Sequence, residues 1–201
     1  MLGILFDLDG TLIDSIDVHF HSFLDALEAL NIPKKQGIEE EFRAQVGKRF
    51  LDIVRAIYPD MGEEHLAEIR RLKWEFTPRY ADRIRVFPRV YDTLDSLYGK
   101  FPLALVTSAS RRFVDLVFSH TDPSLEQYFD AVVTAEDVIN GKPDPEPYLL
   151  GARRLNVDRA VVVGDAEYDR IAAERAGFHF VHAREIGNLP EILEDIRNKN
   201  I

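Results

Sequence analysis

The fold of this chain is decided by residues 4–15, whose sequence is ILFDLDGTLIDS. Three apolar residues lead into Asp7 and Asp9, and Gly10 follows directly. A short, continuous apolar run is typical of a strand that is buried on both faces of a parallel sheet. The two carboxylates therefore fall where that strand ends, and in open α/β sheets ligands bind at this carboxyl edge. Gly10 can adopt backbone angles that other residues avoid, so the chain can turn sharply there.

The carboxylates of Asp7 and Asp9 indicate a cation site. Two carboxylates this close repel each other unless a proton or a metal ion lies between them. Mg²⁺ prefers oxygen ligands and brings substrate phosphate with it. A calcium EF-hand loop also begins Asp-x-Asp, but it requires Gly and Glu where this chain has Leu12 and Val18. A purely structural role, shaping a turn or capping a helix, stays open for this short motif alone.

The composition predicts a globular protein without disulfides. The 201 residues are 46% apolar and 30% charged, a balance that is typical of a folded chain rather than a disordered one. Cysteine is absent, which excludes a thiolate nucleophile and a Cys-based zinc site. The formal net charge of −10 argues against a nucleic-acid or anionic-membrane partner. Because neither a signal peptide nor a membrane-length apolar run is visible, we expect a cytoplasmic protein.

The periodicity of the sequence changes after residue 15. Apolar residues at helical spacing predict helices through residues 16–82, with no convincing strand among them. Strands and helices then alternate, and strands are predicted at 103–106, 131–133, 160–163 and 179–181. This alternation indicates a parallel sheet with right-handed crossovers. We therefore predict a three-layer, Rossmann-like α/β core of residues 1–15 and 83–201, with a small α-helical domain of residues 16–82 inserted into it.

Polar residues follow four of the predicted strands at one edge of the sheet. They are Asp7 and Asp9 after the first strand, Thr107 and Ser108 after the second, Lys142 after the third, and Asp165 and Asp169 after the fourth. Because the carboxyl ends of parallel strands share an edge, these side chains could converge. Carboxylates can hold Mg²⁺, while a lysine and a hydroxyl neutralise and orient phosphate oxygens. The set favours metal-assisted phosphoryl transfer, although each residue alone has a structural alternative, such as a solvated lysine or a helix cap.

The order and spacing of these residues resemble the four motifs of the haloacid dehalogenase superfamily. The motifs are Asp7-Leu8-Asp9-Gly10-Thr11-Leu12, Thr107-Ser108, Lys142-Pro143, and Gly164-Asp165 with Asp169. The resemblance covers essentially the whole chain, including the helical insert between the first two motifs. The branch that it most resembles is the phosphoglycolate phosphatase-like and β-phosphoglucomutase-like group, whose members carry a small helical cap domain.

The resemblance implies the catalytic and metal-binding roles. Asp7 would be the nucleophile that forms an aspartyl-phosphate intermediate. Asp9 would be the general acid for the leaving alcohol and then the base that activates water. Mg²⁺ would be held by the Asp7 carboxylate, the Asp9 backbone carbonyl and Asp165. The expected cofactor is therefore Mg²⁺.

The resemblance also implies how the phosphoryl group is bound. Thr107, the following amide at Ser108, and Lys142 would bind the phosphoryl oxygens. Asp169 would either support the metal shell or position Lys142. Two different roles for this carboxylate therefore stay open.

The expected function is hydrolysis of a small-molecule phosphomonoester, such as 2-phosphoglycolate or a sugar phosphate, by a monomer or weak dimer. Dehalogenases that resemble this chain lack the second aspartate, so the presence of Asp9 favours phosphoryl transfer. A phosphosugar mutase similar to β-phosphoglucomutase is the alternative reaction. A non-catalytic module that binds phospho-ligands or proteins is a further alternative, but an inactive descendant would usually lose Asp7, Asp9 or Lys142, and all three are present.

The helical insert contains one segment that bears on the substrate. Residues 46–50 resemble a cap segment that reaches over the active site in relatives. Lys48 or Arg49 could therefore bind a second anionic group of the substrate, such as a carboxylate. A basic pair on a helix surface is an equal alternative. His19 and His21 lie two positions apart on a predicted helix, so they face different directions and cannot share a metal ion.

Overall fold

The computed structural model describes residues 1–45 and 50–198. The chain forms two compact units, of which the first comprises Met1–Asp14 and Arg85–Ile201. The second comprises Ser15–Ile84. The predicted α/β fold, with a helical insert after the first strand of the sheet, is confirmed.

The first unit is built on a parallel sheet. The strands of the chain are β1 (Leu2–Phe6), β2 (Ile13–Asp14), β3 (Arg85–Val86), β4 (Leu103–Val106), β5 (Ala131–Val133), β6 (Arg159–Gly164) and β7 (His179–His182). The main sheet has the order β5-β4-β1-β6-β7, and its four pairings are all parallel. Strands β2 and β3 form a separate antiparallel pair that the sequence analysis missed. In the main sheet β1 lies in the centre, with β4 on one side and β6 on the other.

The helices occur in both units. They are α1 (Ile16–Ala29), α2 (Ile38–Arg43), α3 (Phe50–Ile57), α4 (Glu63–Phe76), α5 (Val90–Leu97), α6 (Arg111–His120), α7 (Glu146–Leu155), α8 (Glu167–Ala176) and α9 (Leu189–Asn198). Short 3₁₀ helices cover Thr77–Arg83, Leu125–Tyr128, Ala135–Asp137 and Ala183–Asn188. Among the residues that the structure describes, none of these helices is long and apolar enough to cross a membrane.

Both faces of the central strands β1, β4 and β6 are buried. Leu5 and Val162 belong to a buried cluster that also contains Tyr148 of α7 and Ala172 of α8. Successive residues of a strand point to opposite faces, so Ile4 points away from this cluster, and it is also fully buried. The covering of both faces explains why β1, β4 and most of β6 are continuous apolar runs without polar alternation.

The second unit has its own hydrophobic core. Its buried cluster takes Phe23 and Leu27 from α1 and Leu66 and Ile69 from α4, at the spacing of one helical face. The Phe23 ring stacks on Phe42 of α2 with 5.6 Å between ring centroids. Over its described residues, 15–45 and 50–84, this unit contains no strand, as the periodicity predicted.

Candidate active site

The candidate site lies at the carboxyl edge of the three central strands. Asp7 directly follows β1, Thr107 follows β4, and Asp165 follows β6. The backbone amide of Asp7 donates to the carbonyl of Val163 at 2.9 Å, which continues the strand pairing to the edge. Because β1 lies between β4 and β6, the three residues emerge side by side.

The Lys142 side chain enters this edge from the loop before α7. Its Nζ lies 2.6 Å from Asp7 Oδ1 and 2.8 Å from Asp169 Oδ1. It also donates to the backbone carbonyl of Val106 at 2.8 Å. The side chain is only 1% exposed, so Lys142 is not the solvated loop lysine that its sequence neighbourhood alone would allow. Lys142 and Asp7 are thus hydrogen-bonded although they lie 135 positions apart in the sequence.

Three carboxylates form a compact acidic cluster at the same edge. One oxygen from each of Asp7, Asp165 and Asp169 lies within 4.8 Å of the others. Asp165 Oδ1 is buried, and among the described residues it is the one buried side-chain oxygen or nitrogen without a hydrogen-bond partner. A buried carboxylate oxygen with no partner costs free energy, and a cation beside it would remove that cost. Oxygen ligands of this kind fit Mg²⁺.

The oxygens of Asp169 are hydrogen-bonded, unlike Asp165 Oδ1. Its Oδ1 contacts the Lys142 ammonium and accepts a hydrogen bond from the Tyr148 hydroxyl at 2.8 Å. Its Oδ2 accepts from the backbone amide of Ala166 at 3.2 Å. Asp169 is fully buried. The sequence left two roles open for Asp169, metal ligation and positioning of Lys142. This arrangement favours positioning of Lys142.

The electrostatics of the site are dominated by burial of acids. Burial raises the pKa of Asp7, and the charges of Asp169 and Asp9 raise it further, while Lys142 partly offsets them. Burial and the charge of Asp169 also raise the pKa of Asp165. For Lys142, burial opposes protonation, but the charges of Asp7 and Asp169 outweigh it and raise the pKa. Several carboxylates therefore surround one ammonium, and a divalent cation would balance the excess negative charge.

Two glycines make this close approach possible. Gly10 has a φ of +81°, and a Cβ at this position would lie 2.3 Å from Asp165 Oδ2. A Cβ on Gly164 would lie 2.6 Å from the Cβ of Asp169. Real Cβ atoms do not approach other atoms so closely, so both positions require glycine for the acids to converge.

The remaining predicted residues of the first unit lie at the same edge. Asp9 is half-buried in the turn after β1, and its charge contributes to the raised pKa values of Asp7 and Asp165. The Thr107 hydroxyl is buried and accepts a hydrogen bond from the amide of Ala109 at 3.0 Å.

The other predicted binding residues differ in whether the structure describes them. Ser108 is exposed in the loop between β4 and α6. Lys48 and Arg49 lie outside the described residues. Their predicted role in anion binding therefore stays a prediction.

Two residues at the site were missed by the sequence analysis. Thr11 is buried, and its hydroxyl lies 3.4 Å from Asp7 Oδ2. Tyr148 is fully buried and contacts Asp169 through its hydroxyl. Thr11 belongs to the first quoted motif, so its position near Asp7 was a usable signal. Tyr148 occupies an apolar position of a helix, and its sequence gives no sign of a polar contact.

Comparison with known proteins places the chain in a family. Residues 4–183 match the family model described as haloacid dehalogenase-like hydrolase. The pyrophosphatase PpaX of Anoxybacillus flavithermus is 33% identical over 178 residues, which are 87% of this chain and 79% of that protein. The similarity to these proteins therefore includes most of both units.

Solved structures show the same fold. CbbY from Rhodobacter sphaeroides, crystallised in complex with phosphate, has a TM-score of 0.77 at 25% identity and covers 90% of this chain and 84% of its own. A Thermotoga maritima protein, provisionally named a β-phosphoglucomutase, has a TM-score of 0.74 at 26% identity. That similarity covers 95% of this chain and 99% of the Thermotoga chain.

Proposed function

The chain belongs to the haloacid dehalogenase-like hydrolase family, and from this premise we propose that it is a Mg²⁺-dependent phosphatase of small phosphomonoesters. One observation carries the proposal: the Lys142 ammonium contacts the carboxylates of Asp7 and Asp169, and these two carboxylates form one cluster with Asp165, whose buried Oδ1 has no partner. An anionic nucleophile repels an anionic phosphate, and fixed positive charge at the same place offsets that repulsion. The gain is largest where charge develops in the transition state.

Asp7 is the nucleophile in this proposal. One of its carboxylate oxygens forms a bond to phosphorus while the bond from phosphorus to the alcohol oxygen breaks, which leaves an aspartyl phosphate. Lys142 binds a phosphoryl oxygen with its ammonium group. Thr107 and the backbone amide of Ser108 bind the other phosphoryl oxygens.

Asp9 transfers the protons in both halves of the reaction. It first donates a proton to the departing alcohol oxygen, and as a carboxylate it then takes a proton from water. That water attacks the phosphorus of the aspartyl phosphate, which releases inorganic phosphate and restores the Asp7 carboxylate. The half-buried position of Asp9, beside the more buried Asp7, suits a group that exchanges protons with a substrate and a water.

The metal would be held by Asp7, Asp165 and the backbone carbonyl of Asp9. When bound, Mg²⁺ supplies positive charge that neutralises the phosphoryl oxygens and the nucleophile. The support for this ligand set is the buried Asp165 oxygen without a partner and the all-oxygen chemistry of the cluster.

Membership of the family supports two candidate substrate classes. We propose a phosphomonoester such as 2-phosphoglycolate or a sugar phosphate, with residues 16–82 as the cap domain. Inorganic pyrophosphate is the second candidate, because PpaX bears the name pyrophosphatase and is 33% identical to this chain. Crystallisation of CbbY with phosphate is compatible with either substrate.

A phosphate-release panel tests the proposal. The substrates are p-nitrophenyl phosphate, 2-phosphoglycolate, hexose phosphates and pyrophosphate, each with Mg²⁺ and with excess chelator. We expect Mg²⁺-dependent release of phosphate from at least one of them. Isomerisation of a hexose phosphate without release of phosphate would identify a mutase instead. Absence of turnover on the whole panel, with Mg²⁺ bound, would favour a non-catalytic binding module.

The Asp7→Asn variant, measured on the same panel, tests the proposed nucleophile. An amide cannot form the aspartyl phosphate, so we expect turnover to fall on the order of a thousandfold or more. The control is Asp115→Asn, which removes an exposed carboxylate from α6 and should leave turnover unchanged. Circular dichroism should show the same fold for both variants. Substantial turnover by Asp7→Asn would rule out the nucleophile role.

A further inference from the structure

The side chain of Tyr148 contacts both members of the Lys142–Asp169 ion pair. Its hydroxyl donates to Asp169 Oδ1 at 2.8 Å, and its ring centroid lies 4.9 Å from Lys142 Nζ. Tyr148 is fully buried on α7, where it belongs to the core between the sheet and the helices. The ring is therefore held by packing, and the hydroxyl has a fixed direction towards the carboxylate.

This contact limits the freedom of Asp169. Its Oδ1 contacts Lys142 and Tyr148 at the same time, while its Oδ2 accepts from the amide of Ala166. The backbone at Gly164 leaves no room for a side chain beside Asp169. A buried ion pair is stable only when the remaining lone pairs and protons are hydrogen-bonded. The Tyr148 hydroxyl supplies one of those hydrogen bonds.

The position of Lys142 depends on this fixed carboxylate. A lysine has a flexible four-carbon stem, and its ammonium is a point charge that many orientations can satisfy. Here the ammonium is held by Asp7, Asp169 and the Val106 carbonyl, and the face of the Tyr148 ring covers it. Loss of the hydroxyl would leave Asp169 with one donor fewer, so the ammonium could move away from Asp7.

We propose that Tyr148 is a positioning residue for Lys142 and acts through Asp169. The expected effect of Tyr148 on turnover rests on the proposed phosphatase function, because the placement of Lys142 beside Asp7 affects a rate only if the protein is that phosphatase. Its effect on the ammonium itself does not depend on any substrate. Charges that are fixed before the reaction need no reorganisation in the transition state, so a positioning residue acts on kcat more than on KM.

The chain offers a matched control for a tyrosine-to-aspartate hydrogen bond. Tyr128 is also buried, and its hydroxyl donates to Asp95 Oδ1 at 2.6 Å. The pair lies in the same unit, and none of the contacts found for Tyr128 involves Lys142 or Asp169. Tyr128→Phe therefore removes the same kind of bond without touching the ion pair.

The kinetic test compares the two phenylalanine variants. For Tyr148→Phe we expect kcat to fall about tenfold while KM changes less than about twofold, since the transition state alone loses stabilisation. Tyr128→Phe should keep both constants within about twofold of wild type. Tyr148→Phe and Asp169→Asn should be non-additive, because one acts through the other. An unchanged kcat for Tyr148→Phe, or fully additive effects in the double variant, would overturn the proposal.

A spectroscopic test needs neither substrate nor metal. The ammonium protons of Lys142 should give a slowly exchanging ¹H–¹⁵N signal in the metal-free protein, assigned by its loss in Lys142→Met. We expect exchange with water to be at least about fivefold faster in Tyr148→Phe and unchanged in Tyr128→Phe, because a loosened ion pair opens more often. Equal exchange rates in wild type and Tyr148→Phe would refute positioning. This result stands even if wild type hydrolyses no phosphate ester, so failure of the function and failure of the inference are distinguishable.

Discussion

Asp7 and Asp9 are the same residue type in two different environments. Asp7 is buried and paired with Lys142, while Asp9 is half-buried in the following turn. Environment decides which of two neighbouring carboxyl groups attacks and which transfers protons. The fixed, lysine-bound group suits attack on phosphorus, and the more accessible group suits proton exchange with substrate and water.

Replacing Asp9 separates these two roles. In Asp9→Asn the proposed nucleophile is intact but the proposed general acid and base is missing, so we expect turnover to fall about 10²- to 10⁴-fold. Hydrolysis of the intermediate should slow most, so the protein should accumulate mass equal to one phosphoryl group after incubation with substrate. Intact-protein mass spectrometry measures this directly. Wild-type turnover by Asp9→Asn would contradict the assignment.

Residues differ in how far their role could be predicted from the sequence. Lys142 could be identified by its place in the order of motifs, although nothing nearby in the sequence predicts that its side chain is buried. The groups that surround its ammonium include Asp7, 135 positions away, and Val106, 36 positions away. Tyr148 could not be identified, because a tyrosine at an apolar helical position looks like a core residue, and its hydroxyl partner is known only from the folded structure.

At the scale of elements, length decided what could be predicted. The central strands β1, β4 and β6 were found because burial on both faces gives continuous apolar runs. Strands β2 and β3 have two residues each, too few to show alternation, and they exist only through the pairing of Ile13 with Val86 and Asp14 with Arg85. This pair lies where the chain leaves the first unit after Asp14 and returns at Arg85.

The end of β6 provides a test at this scale. In Gly164→Ala the new methyl group would lie 2.6 Å from the Asp169 Cβ, so β6 or the start of α8 must shift. We expect a loss of about 1–3 kcal/mol in the free energy of unfolding, measured with urea. Turnover should also fall, because the shift displaces Asp169 from Lys142. Gly141→Ala is the control, since a Cβ there meets nothing within 4 Å. Equal stabilities for the two variants would show that the strand end tolerates a side chain.

The whole molecule has a net charge of −10, so an anionic substrate can be attracted only by positive charge at the site itself. Several of the acids are concentrated at one edge of the sheet, where burial raises the pKa of Asp7 to about 8 and also raises that of Asp165. The folded protein then binds protons more tightly than the unfolded chain, whose Asp pKa is about 3.9. Without metal, stability should therefore decrease as the pH rises from about 4 to 8.

Mg²⁺ should reverse this loss of stability. At a concentration about 100 times its Kd, a ligand of the folded state adds about 2.7 kcal/mol, or about 5–10 °C in Tm for a chain of this size. Protons compete for the same carboxylates, so the gain in Tm should grow as the pH rises from about 5 to 8.

The ligand assignment predicts which variant loses this response. In Asp165→Asn the unpartnered carboxylate and its repulsion are removed, so we expect a higher Tm than wild type without metal and almost no gain with Mg²⁺. Asp115→Asn should respond to Mg²⁺ like wild type, because its carboxylate is exposed on α6. Differential scanning calorimetry with and without Mg²⁺ measures all three proteins. A full response by Asp165→Asn would mean that other groups hold the ion, and the proposed ligand set would be wrong.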